Sequence, residues 1–412
     1  MTSESETPQE LGVKQMTRTT STAEVLAHAS RYARKKNLED VLIIDVDAHH
    51  FETGSWAAVI EYIEDPVWRD IAQSFTRPDG TNMGALGNYQ PGFNYQHVGG
   101  RIPHSGGLRG EPIDDESVHR DVILARRAME SMAIDYQVIF PTPMLSLGLH
   151  PSPEQEVALA FAYNRWLCEE VLSGDSRLTA LIYLPFNDPD ASLRTVEEFA
   201  GKPGVAGFNI TSVRHKPVHH NQYMKVYAAI EEAGVPLGFH AGPTWEDQWM
   251  RQLDRFIGVH ALSFVLCNMV HLTNWVLHGL PERFPNLNVV WIESGVSWVP
   301  FMMQRLDNEF LMRSSEAPML KKLPSDYIRD MFFTSQPLER HDMKMLQANF
   351  ETINASTQLL YASDWPHWDF DSPASIYDLP FLDEEAKRNI LGGNANRIFN
   401  LAPEQHAKQA AE

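Results

Sequence analysis

Short apolar runs recur along the chain, each followed by turn-forming or polar residues, and eight of them read as strands. They lie at 42–46, 137–143 ("QVIFPTP"), 178–185 ("LTALIYLP"), 204–210 ("GVAGFNI"), 235–240 ("VPLGFH"), 288–293 ("NVVWIE"), 331–335 ("MFFTS") and 359–364 ("LLYASD"). Segments with helical apolar spacing separate them, among them 55–75, 155–173 and 220–234, and another, 22–37, precedes the first. Strand and helix in alternation predict a parallel sheet, because parallel neighbours need a crossover connection. Eight such units predict an α/β fold closed into a (β/α)8 TIM barrel.

Two stretches break the pattern. Residues 76–112, rich in Gly, Pro and Asn, are too long for an ordinary connection and predict a lid or active-site wall, with Tyr89, Phe93 and Tyr95 to pack it. Residues 1–38 predict an N-terminal arm, disordered at first and helical over 22–37, able to dock on a partner. The barrel then spans 39–402, and 403–412 form a C-terminal tail.

Composition narrows the function. A formal charge of −20 over 412 residues argues against nucleic acid and against an anionic membrane surface. The two cysteines, Cys168 and Cys267, sit in apolar helical stretches, which disfavours a disulfide framework. The opening "MTSESETPQE" is acidic, unlike a signal peptide, and no apolar run is expected to reach the roughly 20 residues of a membrane span. These features predict a soluble, cytoplasmic protein.

The polar residues that end the strands form a coherent set. "VLIIDVDAHHFE" (41–52) runs from a buried strand into Asp45, Asp47, His49, His50 and Glu52. Asp47 and His49, at i and i+2, point to one face of a strand, and His50 to the other. The fifth strand ends in His240, the sixth in Glu293 and the eighth in Asp364. Barrel enzymes work at the C-terminal ends of their strands, and imidazoles converging with carboxylates there are what a divalent metal requires. Singly, His240 reads more readily as a core histidine, Asp364 as a turn aspartate and Glu293 as a helix cap. Together they predict a metal centre. His271, in "NMVHLTNW", is a further candidate ligand or acid/base, and equally a buried helix histidine. His367 and Trp368 follow Asp364 and are expected in the pocket or around its ligands.

The motifs "IDVDAHHFE", "GFHAGP", "FPNLNVVWIESGVSWVPFMMQRLD", "LLYASDWPHWD" and "ILGGNANRIFNL", spread over about 40–402, resemble the amidohydrolase-related family. That branch of the amidohydrolase superfamily includes aminocarboxymuconate semialdehyde decarboxylase. The resemblance implies a metal-dependent, distorted barrel, with Asp47 and His49 as the first-strand ligand pair, His240 the fifth-strand ligand and Asp364 the eighth-strand ligand. Against the family's common pattern, the first pair is Asp-x-His rather than His-x-His or Glu-x-His. Glu293 stands where family decarboxylases present a histidine, and the fourth strand, "GFNITS", has no lysine to be carboxylated.

Asp47, Glu52, Glu293 and Asp364 with His49 and His240 make four carboxylates and two imidazoles, the inventory of di-iron and di-manganese carboxylate proteins. Oxygen-rich sites favour iron or manganese over zinc. This resembles a small oxygenase branch that includes 2-aminoisobutyrate hydroxylase. The leading expectation is a dinuclear iron, or Fe/Mn, oxygenase that hydroxylates a small organic molecule with O2. The alternative is a mononuclear hydrolase or decarboxylase of a small carboxylated or carbonyl substrate, zinc being its natural ion and Glu293 or His271 its acid/base. A third is a non-catalytic metal-binding subunit paired with a paralogue. Homo- or hetero-oligomerisation is expected.

Overall fold

The computed structural model describes residues 21–81, 111–211, 216–244 and 247–402. Most of the lid expected over 76–112, the tail 403–412 and residues 1–20 of the arm lie outside them.

Eight parallel strands form one sheet in sequence order. They are β1 (Ile44–His50), β2 (Tyr136–Pro141), β3 (Leu178–Tyr183), β4 (Val205–Thr211), β5 (Leu237–His240), β6 (Val289–Ile292), β7 (Phe332–Thr334) and β8 (Leu359–Leu360). The sheet curls into a (β/α)8 barrel whose last seam is short. Tyr361 O accepts from Val46 N at 2.9 Å, Trp365 O from His49 N at 2.7 Å, and Asp47 O from Asp364 N at 2.7 Å. Asp45 reinforces that seam by accepting from Ser363 N and Oγ and from Gln137 Nε2.

Alternation along the strands sorts side chains between two cores. Ile44, Val46, Val138, Leu181, Val290, Ile292 and Leu360 fill the lumen, and Ile398 and Phe399 of the C-terminal helix Asn394–Phe399 plug its base. Ile43, Ala48, Ile139, Phe239 and Trp291 face outward into the helix layer. The "ILGGNANRIFNL" motif serves this plug: Asn394 Nδ2 donates to Leu359 O at 2.9 Å, and a Cβ on Gly392 would collide with Leu42 O.

Some boundaries differ from expectation. The first strand runs on to His50, so its polar residues belong to the sheet itself. The single helix expected over 55–75 is two, Trp56–Glu61 and Pro66–Ser74. Pro66 cannot continue a helix but suits a first helical position, and Asp65 caps it by accepting from Val67 N at 2.8 Å. Helix Thr22–Lys35 lies against this same chain: Ala33 joins the main core and Lys36, just beyond it, pairs with Asp378 at 3.0 Å. Helix Phe256–Leu277, with no Asp, Glu, Lys or Arg, is long and apolar enough to cross a membrane by length and composition, contrary to the expectation of no such segment. One of its faces packs on the barrel through Val259, Phe264, Leu272, Trp275 and Val276.

Candidate metal centre

Lumen and outward residues should alternate strictly, yet β1 sends both Val46 and Asp47 inward. The register slips between Asp45 and Ala48 against β2, a bulge that gives β1 one extra residue and re-aims the side chains after it. Val46 therefore completes the apolar lumen layer while Asp47 and His49 enter the layer above it. β5 needs no such device: Phe239 faces the helices and His240 the lumen. On β6, Val290 and Ile292 already face inward, so simple alternation would turn Glu293 outward. Its backbone takes φ 49° instead, and Asp364 takes φ 56°. A carboxylate residue in the left-handed region costs about 1 kcal/mol or more and persists where the surroundings dictate it. Thr334 of β7 helps, its Oγ1 accepting from Glu293 N at 3.0 Å.

Asp47, His49, His240 and Glu293 bring ligand atoms within 4.8 Å of one another, and His49, Asp364 and His367 do the same. His49 Nε2 lies 3.2 Å from Asp47 Oδ1, 3.8 Å from Glu293 Oε2 and 3.3 Å from Asp364 Oδ1. His240 Nε2 lies 3.2 Å from Asp47 Oδ1 and 3.3 Å from Glu293 Oε2. Around an ion bound at about 2.0–2.2 Å, neighbouring ligand atoms stand about 3 Å apart, so these spacings suit one coordination sphere.

The tautomers point the same way. His49 Nδ1 is 3.0 Å from Pro141 O and His240 Nδ1 is 2.7 Å from Ala241 O. A carbonyl only accepts, so each Nδ1 carries the proton and each Nε2 turns a lone pair toward the carboxylates. Lone pair against carboxylate repels unless a cation lies between. His49 Nε2, Asp47 Oδ2, Glu293 Oε2 and Asp364 Oδ2 are moreover buried without hydrogen-bond partners. The residues fit a divalent ion with mixed nitrogen and oxygen ligands.

Electrostatics sets how strongly the cluster needs one. Burial pushes the Asp47 carboxyl up, and positive charge beside it, on protonated His240 and His49 or on a cation held between neutral imidazoles, brings it down. Burial first, then Asp47 and Asp369, pushes Glu293 well above the usual carboxylate range. Burial, then Glu293, Asp369 and Asp47, does the same to Asp364. Each uncompensated buried charge costs several kcal/mol, so the cluster must take up protons or a cation.

Two expected participants are elsewhere. Glu52 is buried, but Oε1 accepts from Met144 N at 2.7 Å and Oε2 from Thr142 N at 3.1 Å. It pins the β2 loop and is in neither group of converging ligand atoms. His271 lies behind β5, its ring 5.7 Å from that of outward-facing Phe239, on the side of the sheet remote from the cluster. His367 does sit at the cluster: Nδ1 is 2.6 Å from Asp364 Oδ1, Nε2 is 3.2 Å from Thr142 Oγ1, and its ring is 4.2 Å from that of His49. Trp368 is set further out, 5.4 Å from the His260 ring.

Asp369 escaped the sequence reading. It bears on both Glu293 and Asp364, and its Oδ2 lies 3.8 Å from His260 Nε2. The signal was present, a second acid five residues after Asp364 within "SDWPHWD". Phe140 was missed as well; its ring, 4.9 Å from His240 and 6.0 Å from His49, fixes both imidazoles from the β2 side.

The amidohydrolase family profile matches residues 44–401. A gamma-resorcylate decarboxylase from Rhodococcus jostii (strain RHA1) is 21% identical over 344 residues, 80% of this chain and 98% of that one. The crystal structure of 5-carboxyvanillate decarboxylase from Sphingomonas paucimobilis superposes with a TM-score of 0.60 at 21% identity, covering 88% of this chain and 99% of that one. A dihydroxybenzoic acid decarboxylase from Polaromonas sp. JS666, solved with manganese and the inhibitor 2-nitroresorcinol, gives 0.61 at 17% identity, covering 88% and 97%. The structural likenesses establish the fold, and the profile match establishes that this chain belongs to the amidohydrolase family.

Proposed function

We propose that this amidohydrolase-family chain is a divalent-metal-dependent decarboxylase of a small carboxylic acid. The observation that carries the reading is the convergence of Asp47, His49, His240 and Glu293 with both imidazole lone pairs turned inward. Decarboxylases recur among its relatives, and manganese, bound in three similar structures, is the natural first ion to test. Asp47, His49 and His240 would hold the ion, with Glu293 as fourth ligand. The ion supplies Lewis acidity and a positive charge for the substrate carboxylate.

Replacing a carboxylate by hydrogen releases CO2 and requires one proton at the carbon left behind. We infer that Asp364, expected from the sequence as a ligand, delivers it from Oδ2: His367 lies against Oδ1, and burial among carboxylates favours the protonated form. His367 is in turn fixed by Thr142, at the start of the loop that Glu52 pins.

A second reading rests on the carboxylate count. Of the four carboxylates expected, Asp47, Glu293 and Asp364 do surround two imidazoles, and with Asp369 near Asp364 in place of Glu52 they would also suit an iron or Fe/Mn oxygenase. One experiment separates the two. Protein loaded with manganese, or with iron, is incubated with 2,6-dihydroxybenzoate and a panel of hydroxybenzoates, under argon and under 18O2. CO2 formed equally under argon supports decarboxylation. Label in the product, formed only with oxygen, replaces it with the oxygenase reading. Fully metal-loaded protein that converts nothing favours the subunit alternative.

A further inference from the structure

The β3–β4 wall of the barrel mouth carries polar groups that the chemistry above does not use. Thr211 is the register partner of His240, and Tyr183 that of Asn209. Paired residues of parallel strands share a face, so Thr211 faces the lumen with His240. Asn209, two residues earlier, faces it too: its Oδ1 is 3.0 Å from where a Cβ on Gly238 would sit, beside Leu181 and Ile292 of the lumen core. Tyr183 follows Leu181 by two and points the same way.

Behind this wall lies a buried acid. Glu156, in the first turn of helix Pro153–Trp166, accepts from Tyr183 Oη at 3.1 Å and from Asn187 Nδ2 at 2.6 Å. Asn187 also donates to Gly148 O at 2.8 Å, so the acid is tied to the β2 loop. With its proton committed to Glu156, the Tyr183 oxygen turns lone pairs toward the mouth, where the Thr211 hydroxyl lies beside it. The Thr211 proton can go to that oxygen, which leaves the Oγ1 lone pairs free, and Asn209 Oδ1, in a residue 1% exposed, has no hydrogen-bond partner among the described residues. Buried acceptors of this kind are met by a ligand or by trapped water.

We propose that Asn209, Thr211 and Tyr183 form a subsite for a hydroxyl group of the substrate, with Glu156 as a positioning residue that acts through Tyr183. With the Thr211 proton turned to Tyr183 and Asn209 presenting Oδ1, the wall offers acceptors and selects a donor. None of its three side chains is charged, so it selects a neutral donor, a hydroxyl rather than an ammonium. The assignment deepens the decarboxylase reading and rests on it for orientation: the carboxylate goes to the metal ligands of β1, β5 and β6, and a hydroxyl to the β3–β4 wall.

The test uses full-length, manganese-loaded protein and two probes without a carboxylate. Phenol and anisole differ by the methyl group that removes the donor. Phenol should bind about tenfold more tightly, the usual effect of one satisfied buried hydrogen bond. Crystals soaked in phenol should place its oxygen within hydrogen-bond distance of Thr211 Oγ1 or Asn209 Oδ1. Thr211→Val, close to isosteric, should abolish the preference with manganese content unchanged, and Tyr183→Phe should weaken it. Glu156→Gln, which keeps an acceptor for Tyr183, should retain the preference that Glu156→Ala loses. Equal affinities, a phenol oxygen on the metal or elsewhere, or only water against Asn209 and Thr211 would overturn the subsite. Benzoate on the same protein keeps the two readings apart. Manganese-dependent benzoate binding without a phenol preference removes the subsite alone. A phenol preference that follows Thr211, without benzoate binding, removes the carboxylate reading alone.

Discussion

Glu52 and Glu293 are both buried glutamates just past barrel strands, and each shares its surroundings with histidines. They differ in what their oxygens touch. Both oxygens of Glu52 accept backbone N–H groups from Thr142 and Met144, so its desolvation is offset locally and the loop beyond β2 is held. Glu293 has Oε2 without a hydrogen-bond partner, 3.3 Å from His240 Nε2 and 3.8 Å from His49 Nε2, on a backbone forced to positive φ. Residue type and burial are the same in both places. What separates a clamp from a candidate ligand is whether the protein itself satisfies the charge.

The contrast is broken most forcefully at the cluster. Asp47→Ala should weaken manganese binding at least about 100-fold, since even residues that only orient ligands are worth 10–100-fold; metal analysis after gel filtration reads this. A parent and a variant with equal manganese content would end the metal-centre reading. Glu52→Gln should leave manganese content alone and cost about 1–3 kcal/mol of stability, because its amide NH2 must face a backbone N–H that needs an acceptor. A melting temperature lowered by a few degrees with full metal would meet that expectation.

The same residue makes a pH prediction. Burial, only partly opposed by nearby His50 and the backbone donors, raises the Glu52 carboxyl from 4.5 to about 7. The folded chain therefore binds more protons than the unfolded chain between those values. Its stabilising contribution is complete below about 4.5 and is lost as pH rises through about 7. Glu52→Gln should flatten the pH dependence of chemical denaturation in that window, and an unchanged slope would place the titration elsewhere.

Glu293→Gln sharpens the comparison by its sign. In metal-free protein, where burial disfavours ionisation of Glu293, Gln removes the cost of keeping that carboxyl protonated at neutral pH, so it should raise the melting temperature, by about 1 kcal/mol in stability terms. A lowered melting temperature, as for Glu52→Gln, would make the two glutamates equivalent. The smallest effect is expected at His271, behind the sheet: His271→Gln should leave manganese content and turnover within about twofold of the parent.

How far the chain could be read depends on the range of each interaction. All eight apolar runs became strands, because a strand buried on both faces needs only a local run of apolar residues. The limits of β1 were not local, since His49 and His50 belong to the strand by pairing with Phe140 and Pro141. The break at Pro66 was legible in "DP", and periodicity over 55–75 hid it. At the site, residue types and strand-end positions marked Asp47, His49, His240, Glu293 and Asp364. The same criteria admitted Glu52 and His271 and passed over Asp369.

The order of strands and helices, the parallel barrel and the stock of acids and imidazoles at its mouth were therefore determined by the sequence alone, through patterns a few residues long. Which of those groups meet was decided only by the tertiary structure. A bulge re-aims Asp47, a positive φ turns Glu293 inward, and a helix face carries His271 away. His240 meets Asp47 across 193 residues of chain. The physical reason is that side-chain direction at a strand end depends on one or two backbone torsions, and these are set by contacts with neighbouring strands rather than by the residues beside them in the sequence.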